Sequence, residues 1–591
     1  MTQEAQDFCL ACDADLSRSD TYKSLGVCPN CGFHYTLTAW ERIALLADTD
    51  TFHERNKHLR AADPISFTGR RSYRDTLARV RKQTGLTEAV VTGACRIEGI
   101  DTAVLALDFG FLGGSMGIAV GEKVALLFDH ARKRRLPVVA VVTSGGARMQ
   151  EGILALMQMA KTVTAVRQFH EVGLPFIVLM ASPTTGQVYA SFANLADIVL
   201  AEPNALIGFA SLRAARQASA QMDPVEPHTD AHTAESHLIH GSLDRIVPRS
   251  HQRQAIGSLL RLLGSRTRLA LRGDGERQAP YVPRTAERGQ ALETVRHQER
   301  PTALDYLHAV FTGHEEIHGD RYVGNDDSLV TAFCYLASEP VAVIATDRSR
   351  TVRPQGIRKA QRLMRLAAKF HLPLITLIDT PGVDPSLHAE EEGVGAAIAQ
   401  CLVLLIGLPT PVIAAIVGEG GSEAALCLGL GDRVLMQERA IYAPISPESA
   451  AAILYRDASR AEDVVTALRV TARDCAQLKI IDQVVPEPTG GAHTNPQEAI
   501  HLLQEALIRN LIEVQSISVR KLVKERQNKF REMGNQGSFL KTGLGLGAQL
   551  GRGVQGLRSR LPHRPRFAFF PEPPLPRPRR PSNPNPKGPT P

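Results

Sequence analysis

The apolar positions of this chain fall in short unbroken blocks rather than alternating ones. LPVVAVV (136–142), LPFIVLM (174–180), LPLITLI (372–378) and LPTPVIAAIV (408–417) are rich in β-branched residues and carry no polar alternation. Strands covered on both faces read this way. Helix-period segments separate the blocks: a helix through Val120 to Lys133, ILALMQMAKTVTAVRQF, the small-residue stretch VYASFANLA, and QGIRKAQRLMRLAAKF. Two further segments, VVTGACRIEGIDTAVLALDF and SLVTAFCYLASEPVAVIAT, read as hairpins leading into a core strand. The pattern predicts α/β domains built on parallel sheets. It also occurs twice. Strand, turn, helix, strand and glycine-rich turn run through 136–193 and again through 372–428, and Pro137 and Pro175 keep nearly the spacing of Pro373 and Pro409. The two halves read as a duplication.

The turns carry the candidate chemistry. The first block ends in Ser144-Gly145-Gly146-Ala147, directly ahead of a helix. Glycines at such a junction let a ligand reach bare backbone, and the start of a helix has unpaired N–H groups. Such a corner can hold a developing oxyanion with no side-chain acid or base. Gly145 and Gly146 are therefore candidates, as are Gly420 and Gly421 in the second half, with a plain turn role as the alternative. Gly113 and Gly114 read equally as ligand contacts or as tight packing positions.

Composition narrows the class. At 591 residues the chain is too long for one core. Hydrophobic residues at 43% and charged ones at 22% suit a soluble globular protein. No apolar run approaches the roughly 20 residues of a membrane span, and the N-terminus lacks a secretory pattern, so a cytoplasmic location is expected. The net charge of +7 owes much to an Arg-rich C-terminal stretch, which weakens any case for a basic nucleic-acid face. Cys9-x2-Cys12 and Cys28-x2-Cys31 lie fifteen residues apart, the spacing of a tetrahedral zinc ribbon with no open coordination position. The expected layout is a zinc ribbon (1–36), a first α/β domain (37–260), a charged linker (261–300), a second α/β domain (301–531) and a flexible Gly/Pro/Arg-rich tail (532–591).

These residues resemble a known family. The zinc ribbon, TGLTEAVVTG, LDFGFLGGSMGIAVGEK, SGGARMQEG, LMQMAKT, SPTTGQ and AEPNALIGFA resemble the β subunit of bacterial acetyl-CoA carboxylase carboxyltransferase. PTALDYL, HGDR, RKAQRLM, LIDTPG, GEGGS, LGDRVLM, ISPE and IIDQVVPEPTGGAH resemble its α subunit. The chain looks like a natural β–α fusion with two crotonase-like domains in tandem. The resemblance implies transfer of a carboxyl group from carboxybiotin, held on a separate carrier protein, to acetyl-CoA, giving malonyl-CoA. It also implies biotin carboxyl carrier protein and biotin carboxylase as partners. Family sites lie between β-type and α-type domains of different protomers, which implies a homodimer or higher assembly. Arg148, Arg358 and Lys359 become candidate contacts for CoA or carrier, with a buried ion pair the alternative for Arg148 and a solvated helix face for the other two. His493 reads as a structural or interface residue.

The resemblance maps the family's oxyanion diglycines onto Gly186-Gln187 and Glu423-Ala424. Gln187, Glu423 and Ala424 are departures from glycine, and the long side chains are expected to crowd the ligand and to resist positive φ. GFASLR at Ser211-Leu212, the shortened TDRSRTVRPQG loop and DTPGVDPSLHAEEEG depart as well. Ordinary carboxyl transfer, altered acyl-CoA carboxylation or decarboxylation, and a non-catalytic assembly role are all compatible with these changes. The first is the reading adopted.

Overall fold

Two eight-stranded sheets of identical connectivity organise the protein. The computed structural model describes residues 7–69, 71–209, 229–265, 267–269, 281 and 291–533. Ser211-Leu212, most of the expected linker and nearly all of the expected tail lie outside the described residues.

The first sheet contains β1 (His53–Arg55), β2 (Val90–Ile97), β3 (Ile100–Leu107), β4 (Val138–Ser144), β5 (Phe176–Thr185), β6 (Ile198–Ala201), β7 (Ile207–Gly208) and β8 (Arg245–Ile246). Its order is β1-β2-β3-β4-β5-β6-β8, with β7 paired to β5. The second contains β9 (Phe311–Glu316), β10 (Leu329–Leu336), β11 (Glu339–Thr346), β12 (Leu374–Thr380), β13 (Val412–Gly421), β14 (Arg433–Gln437), β15 (Ile441–Ala443) and β16 (Gln483–Val485). Its order is β9-β10-β11-β12-β13-β14-β16, with β15 on β13. The hairpins β2–β3 and β10–β11 are antiparallel, and the strands from β3 and from β11 onward run parallel. The edge strands β1 and β9 escaped the sequence pattern because they are short and partly exposed. The stretch VYASFANLA does not form one helix: it splits into a single turn, Gly186–Tyr189, and a 3₁₀ turn, Phe192–Leu195.

Corresponding strands share one offset. β4 starts at 138 and β12 at 374, β5 at 176 and β13 at 412, each 236 residues apart. Lys123 and Lys359 differ by the same amount, and each is buried on the helix preceding β4 or β12. Lys123 Nζ donates to Val90 O at 3.2 Å, and Lys359 Nζ to Leu329 O at 3.1 Å, the first residues of β2 and β10. Both ammonium groups titrate below the usual range because burial disfavours charge, Lys359 down to about 8. Duplication thus extends to a buried polar tie.

The halves are fastened through charged groups from the helix Pro354–Phe370. Lys369 Nζ lies 2.6 Å from Asp197 and from His170 Nδ1, and Arg362 bonds Asp244 Oδ1 at 2.8 Å and Asp197 O at 2.9 Å. Arg321 also bonds Asp244. The ribbon is tied down by a second cluster. Arg249 donates to Glu202 and to the carbonyls of Leu25, Gly26 and Tyr35, while Arg42 meets Glu202 at 2.5 Å. Burial opposes the Glu202 charge, yet the two guanidinium groups hold its carboxyl down at about 2.

Candidate active site: two amide pairs at the strand ends

At the end of β4 the chain turns through Ser144-Gly145-Gly146, and three of the turn's polar groups are already occupied. Gly145 N–H donates to Gly113 O at 2.7 Å, Gly146 N–H to Ser144 Oγ at 3.0 Å, and Ser144 Oγ to Gly114 O at 2.8 Å. A Cβ on Gly114 would stand 2.2 Å from Thr143 O, so Gly114 serves close packing of its loop on this turn, while Gly113 has φ +67° and accepts the Gly145 N–H. The neighbouring strand β5 ends at Thr185, and Gly186, the next residue, has φ +66° and touches the first turn. A Cβ there would lie 2.8 Å from Gly146 Cα. Among the described residues, the N–H groups of Ala147 and Gln187 have no hydrogen-bond partner. Gln187 sits in the first turn of Gly186–Tyr189, whose amides have no intrahelical acceptor. Two touching turns therefore offer two unclaimed donors.

The second half repeats the turn 236 residues on. Thr380-Pro381-Gly382 replaces Ser144-Gly145-Gly146, and Gly382 N–H donates to Thr380 Oγ1 at 3.2 Å as Gly146 does to Ser144. Met116 bridges the first turn by accepting from Arg148, and Val352 bridges the second by accepting from Asp384. Val383 and Glu423 then provide the pair equivalent to Ala147 and Gln187. Both strand pairs also carry the same register break, between Val142 and Ser144 and between Ile378 and Thr380.

Across the repeat, Gln187 corresponds to Glu423 and Gly186 corresponds to Ser422. It is Ser422 that adopts positive φ, at 57°; Gln187, Glu423 and Ala424 do not. The expectation that the long side chains resist the backbone conformation therefore fails. The exposed Glu423 carboxylate accepts a hydrogen bond from the Ser422 hydroxyl, and Ala424 is buried. Gly420 and Gly421 line the β13 side as packing residues: a Cβ on Gly421 would lie 2.4 Å from Pro381 O.

The four cysteines of the ribbon come together as the spacing predicts. Their Sγ atoms all lie within 4.8 Å of one another, with Cys9–Cys31 and Cys12–Cys28 each at 3.7 Å. A tetrahedron with Zn–S bonds of about 2.3 Å has edges of about 3.8 Å. The donor set fits a closed structural site.

A carboxyl transferase domain family matches residues 36–252, and an acetyl co-enzyme A carboxylase carboxyltransferase-like family matches 276–534. The acetyl-coenzyme A carboxylase carboxyl transferase subunits beta/alpha of Salinispora tropica are 41% identical over 92% of this chain and 97% of the relative. Those of Parafrankia are 43% identical over 86% and 88%. The chain belongs to the acetyl-CoA carboxylase carboxyltransferase family. Its fold is shared by transcarboxylase 12S, at a TM-score of 0.62 and 22% identity over 83% of this chain and 92% of the other. Both halves of this carboxyltransferase are crotonase-like α/β domains.

Three predicted contact residues of the carboxyltransferase are corrected or redefined. Arg148 is fully buried and holds Glu88, with Nη2–Oε1 at 2.6 Å, so it braces the first turn rather than meeting a phosphate. Lys359 is neither a ligand contact nor on a solvated face; it is the buried tie described above. Arg358 remains accessible, pairs with Asp320 at 2.7 Å and lines a cavity of about 430 Å³ with Gln361, Arg365 and Glu392. His493 stacks on His297 at 4.0 Å, as a structural histidine would. Sequence reading missed Glu88, Glu151 and Tyr73, whose network with Arg148 fixes the SGGARMQEG turn. A charge inside that glycine-rich motif was the available signal for Glu151, whereas Glu88 and Tyr73 lie outside it and gave none.

Proposed function

We propose that the chain transfers a carboxyl group from carboxybiotin on a carrier protein to acetyl-CoA, forming malonyl-CoA. The supporting observation is the duplicated pair of unclaimed amides, Ala147 with Gln187 and Val383 with Glu423. The reaction passes through two anions, the biotin ureido enolate and the thioester enolate. Backbone donors stabilise such charge without competing as acids or bases. The departures at Gln187 and Glu423 keep those donors, because the N–H belongs to the backbone. Biotin supplies the proton acceptor, so the missing side-chain base is no obstacle.

Zinc in the four-cysteine ribbon is part of this reading, held by Cys9, Cys12, Cys28 and Cys31 as a structural ion. Biotin carboxyl carrier protein and biotin carboxylase as partners, a homodimer or larger assembly, and a cytoplasmic location complete it. Among the described residues no helix is long and apolar enough to cross a membrane. The solvent-facing Met149, Ile153 and Met157 beside the first turn are consistent with a protein surface covering them. The Glu423 carboxylate beside one amide pair favours a second reading, an acyl-CoA other than acetyl-CoA. Running the reaction backwards tests both. Malonyl-CoA and longer carboxyacyl-CoAs are each supplied with free biotin amide, and acyl-CoA release is measured. Release from malonyl-CoA supports the first reading, release only from a longer ester supports the second, and no release removes both.

A further inference from the structure

The register break in each half is bridged by one side chain, and the two halves use opposite chemistry to do it. In the first half that residue is Thr143, between Val142 and Ser144. Its hydroxyl lies 3.3 Å from Ser182 O and 3.2 Å from Pro183 O on the bulged part of β5. In the second half the equivalent residue is Asp379. Its Oδ1 accepts the Glu419 N–H at 2.9 Å, on the bulged part of β13, and its own N–H donates to Thr346 Oγ1 at 2.7 Å. A donor to carbonyls has become an acceptor from an amide.

Asp379 is 1% exposed, and among the described residues its Oδ2 has no hydrogen-bond partner. The site is shaped for it, because a Cβ on Gly418 would stand 2.1 Å from Oδ1. A buried carboxylate oxygen without a partner costs stability, and an apolar residue would fill the space more cheaply. The bulge it holds leads without interruption through Gly420, Gly421 and Ser422 to the Glu423 amide. Thr380, the next residue on its own strand, caps the Gly382 amide beside Val383. One side chain thus ties together the two segments that deliver the second donor pair.

We propose that Asp379 is the positioning residue of the second amide pair, setting the Glu423 N–H against the Val383 N–H by holding the β13 bulge through the Glu419 amide. The inference rests on the carboxyl-transfer reading for its kinetic consequence, but not for its structural one. Burial pushes the Asp379 carboxyl up to about 6, against the Glu419 amide and the charges of Arg300 and Arg348; Glu419 itself opposes ionisation. Beyond these, Glu487 pairs with Arg300, and the Tyr306 hydroxyl bonds Gln437 on the same side. Ionised Asp379 accepts the Glu419 amide more strongly than the neutral acid does. The bulge is therefore held more tightly above pH 6 than below it.

The test compares the full-length protein with Asp379→Asn and Asp379→Ala. Asn keeps an acceptor for Glu419 without the charge, and Ala removes it. Backbone hydrogen exchange over residues 417–424 needs no turnover. Wild type should gain protection relative to Asn between pH 5.5 and 8, while exchange in β4 and β5 stays the same. For carboxyl transfer, Ala should lower kcat about tenfold or more with little change in KM, as a misplaced donor does. Asn should match wild type near pH 5.5 and fall behind it above pH 7. Protection that is the same in wild type and Asn at both pH values overturns the proposal, even if the Ala protein does not fold. Equal kcat for folded Ala and wild type overturns it as well. Absence of turnover in wild type would refute the activity and leave the exchange result to decide the positioning role.

Discussion

Ser422 stands where the first half has Gly186, and both backbones turn left-handed there, at φ 57° and +66°. The first position has no room for a side chain, since a Cβ on Gly186 would lie 2.8 Å from Gly146 Cα. The second has opened enough to admit one, and Ser422 Cβ lies 3.3 Å from where a Cβ on Gly382 would stand. Gly186→Ala should therefore lower stability by about 1–3 kcal/mol and disable the first amide pair. Ser422→Gly should leave stability within about 1 kcal/mol of wild type. Chemical denaturation of both proteins checks the asymmetry; equal losses would contradict it.

Gln187 and Glu423 act through their backbone in this account. Gln187→Ala and Glu423→Ala keep the N–H groups and should retain kcat within about threefold. Removing an oxyanion donor itself typically costs about 100-fold or more. Steady-state kinetics on each single variant distinguishes the two scales. A loss of the larger size would assign the chemistry to the side chains.

Lys359 gives the protein a pH dependence of defined sign. Burial lowers its folded-state pKa to about 8, below the ordinary lysine value of 10.5. The folded state therefore bears the cost of a buried ammonium below pH 8, and that cost fades as pH rises from about 8 towards 10.5. At about 1.4 kcal/mol per unit the span is roughly 3 kcal/mol. Lys359→Met removes this dependence, so wild type should gain stability relative to the variant across that window. Parallel stability curves would show that the lysine is not held as described.

The Arg42–Glu202–Arg249 cluster is expected to control how firmly the ribbon sits. Glu202 has its carboxyl lowered from 4.5 to about 2, so its contribution is present above pH 4.5 and lost as pH falls towards 2. Glu202→Gln leaves two buried guanidinium groups without their counter-charge, at a cost of about 3–5 kcal/mol. A chelator should strip zinc from the variant faster than from wild type at pH 7. Unchanged extraction would separate the cluster from the ribbon.

The repeat was legible because β4, β5, β12 and β13 are buried on both faces, leaving unbroken apolar blocks that periodicity detects. The ribbon was legible because thiolate spacing has few other uses. The edges β1 and β9 were not, since three to six partly exposed residues carry little pattern. Lys359 misled for a different reason. A basic residue in a helix reads as solvated, and only the tertiary fold reveals that its stem runs inward to the first carbonyl of a distant strand. The match of Ser422 to Gly186 was equally hidden, because a sequence motif aligns residue types whereas the fold aligns φ angles. Asp379 passed as part of a strand, and its unpartnered oxygen is a property of packing alone.

The central claim is tested most directly by supplying the full-length protein with carrier protein whose biotin bears a labelled carboxyl group, together with acetyl-CoA. The account predicts label in malonyl-CoA at a rate that survives alanine at both 187 and 423. No labelled acyl-CoA, from carrier that a characterised carboxyltransferase discharges, would contradict it.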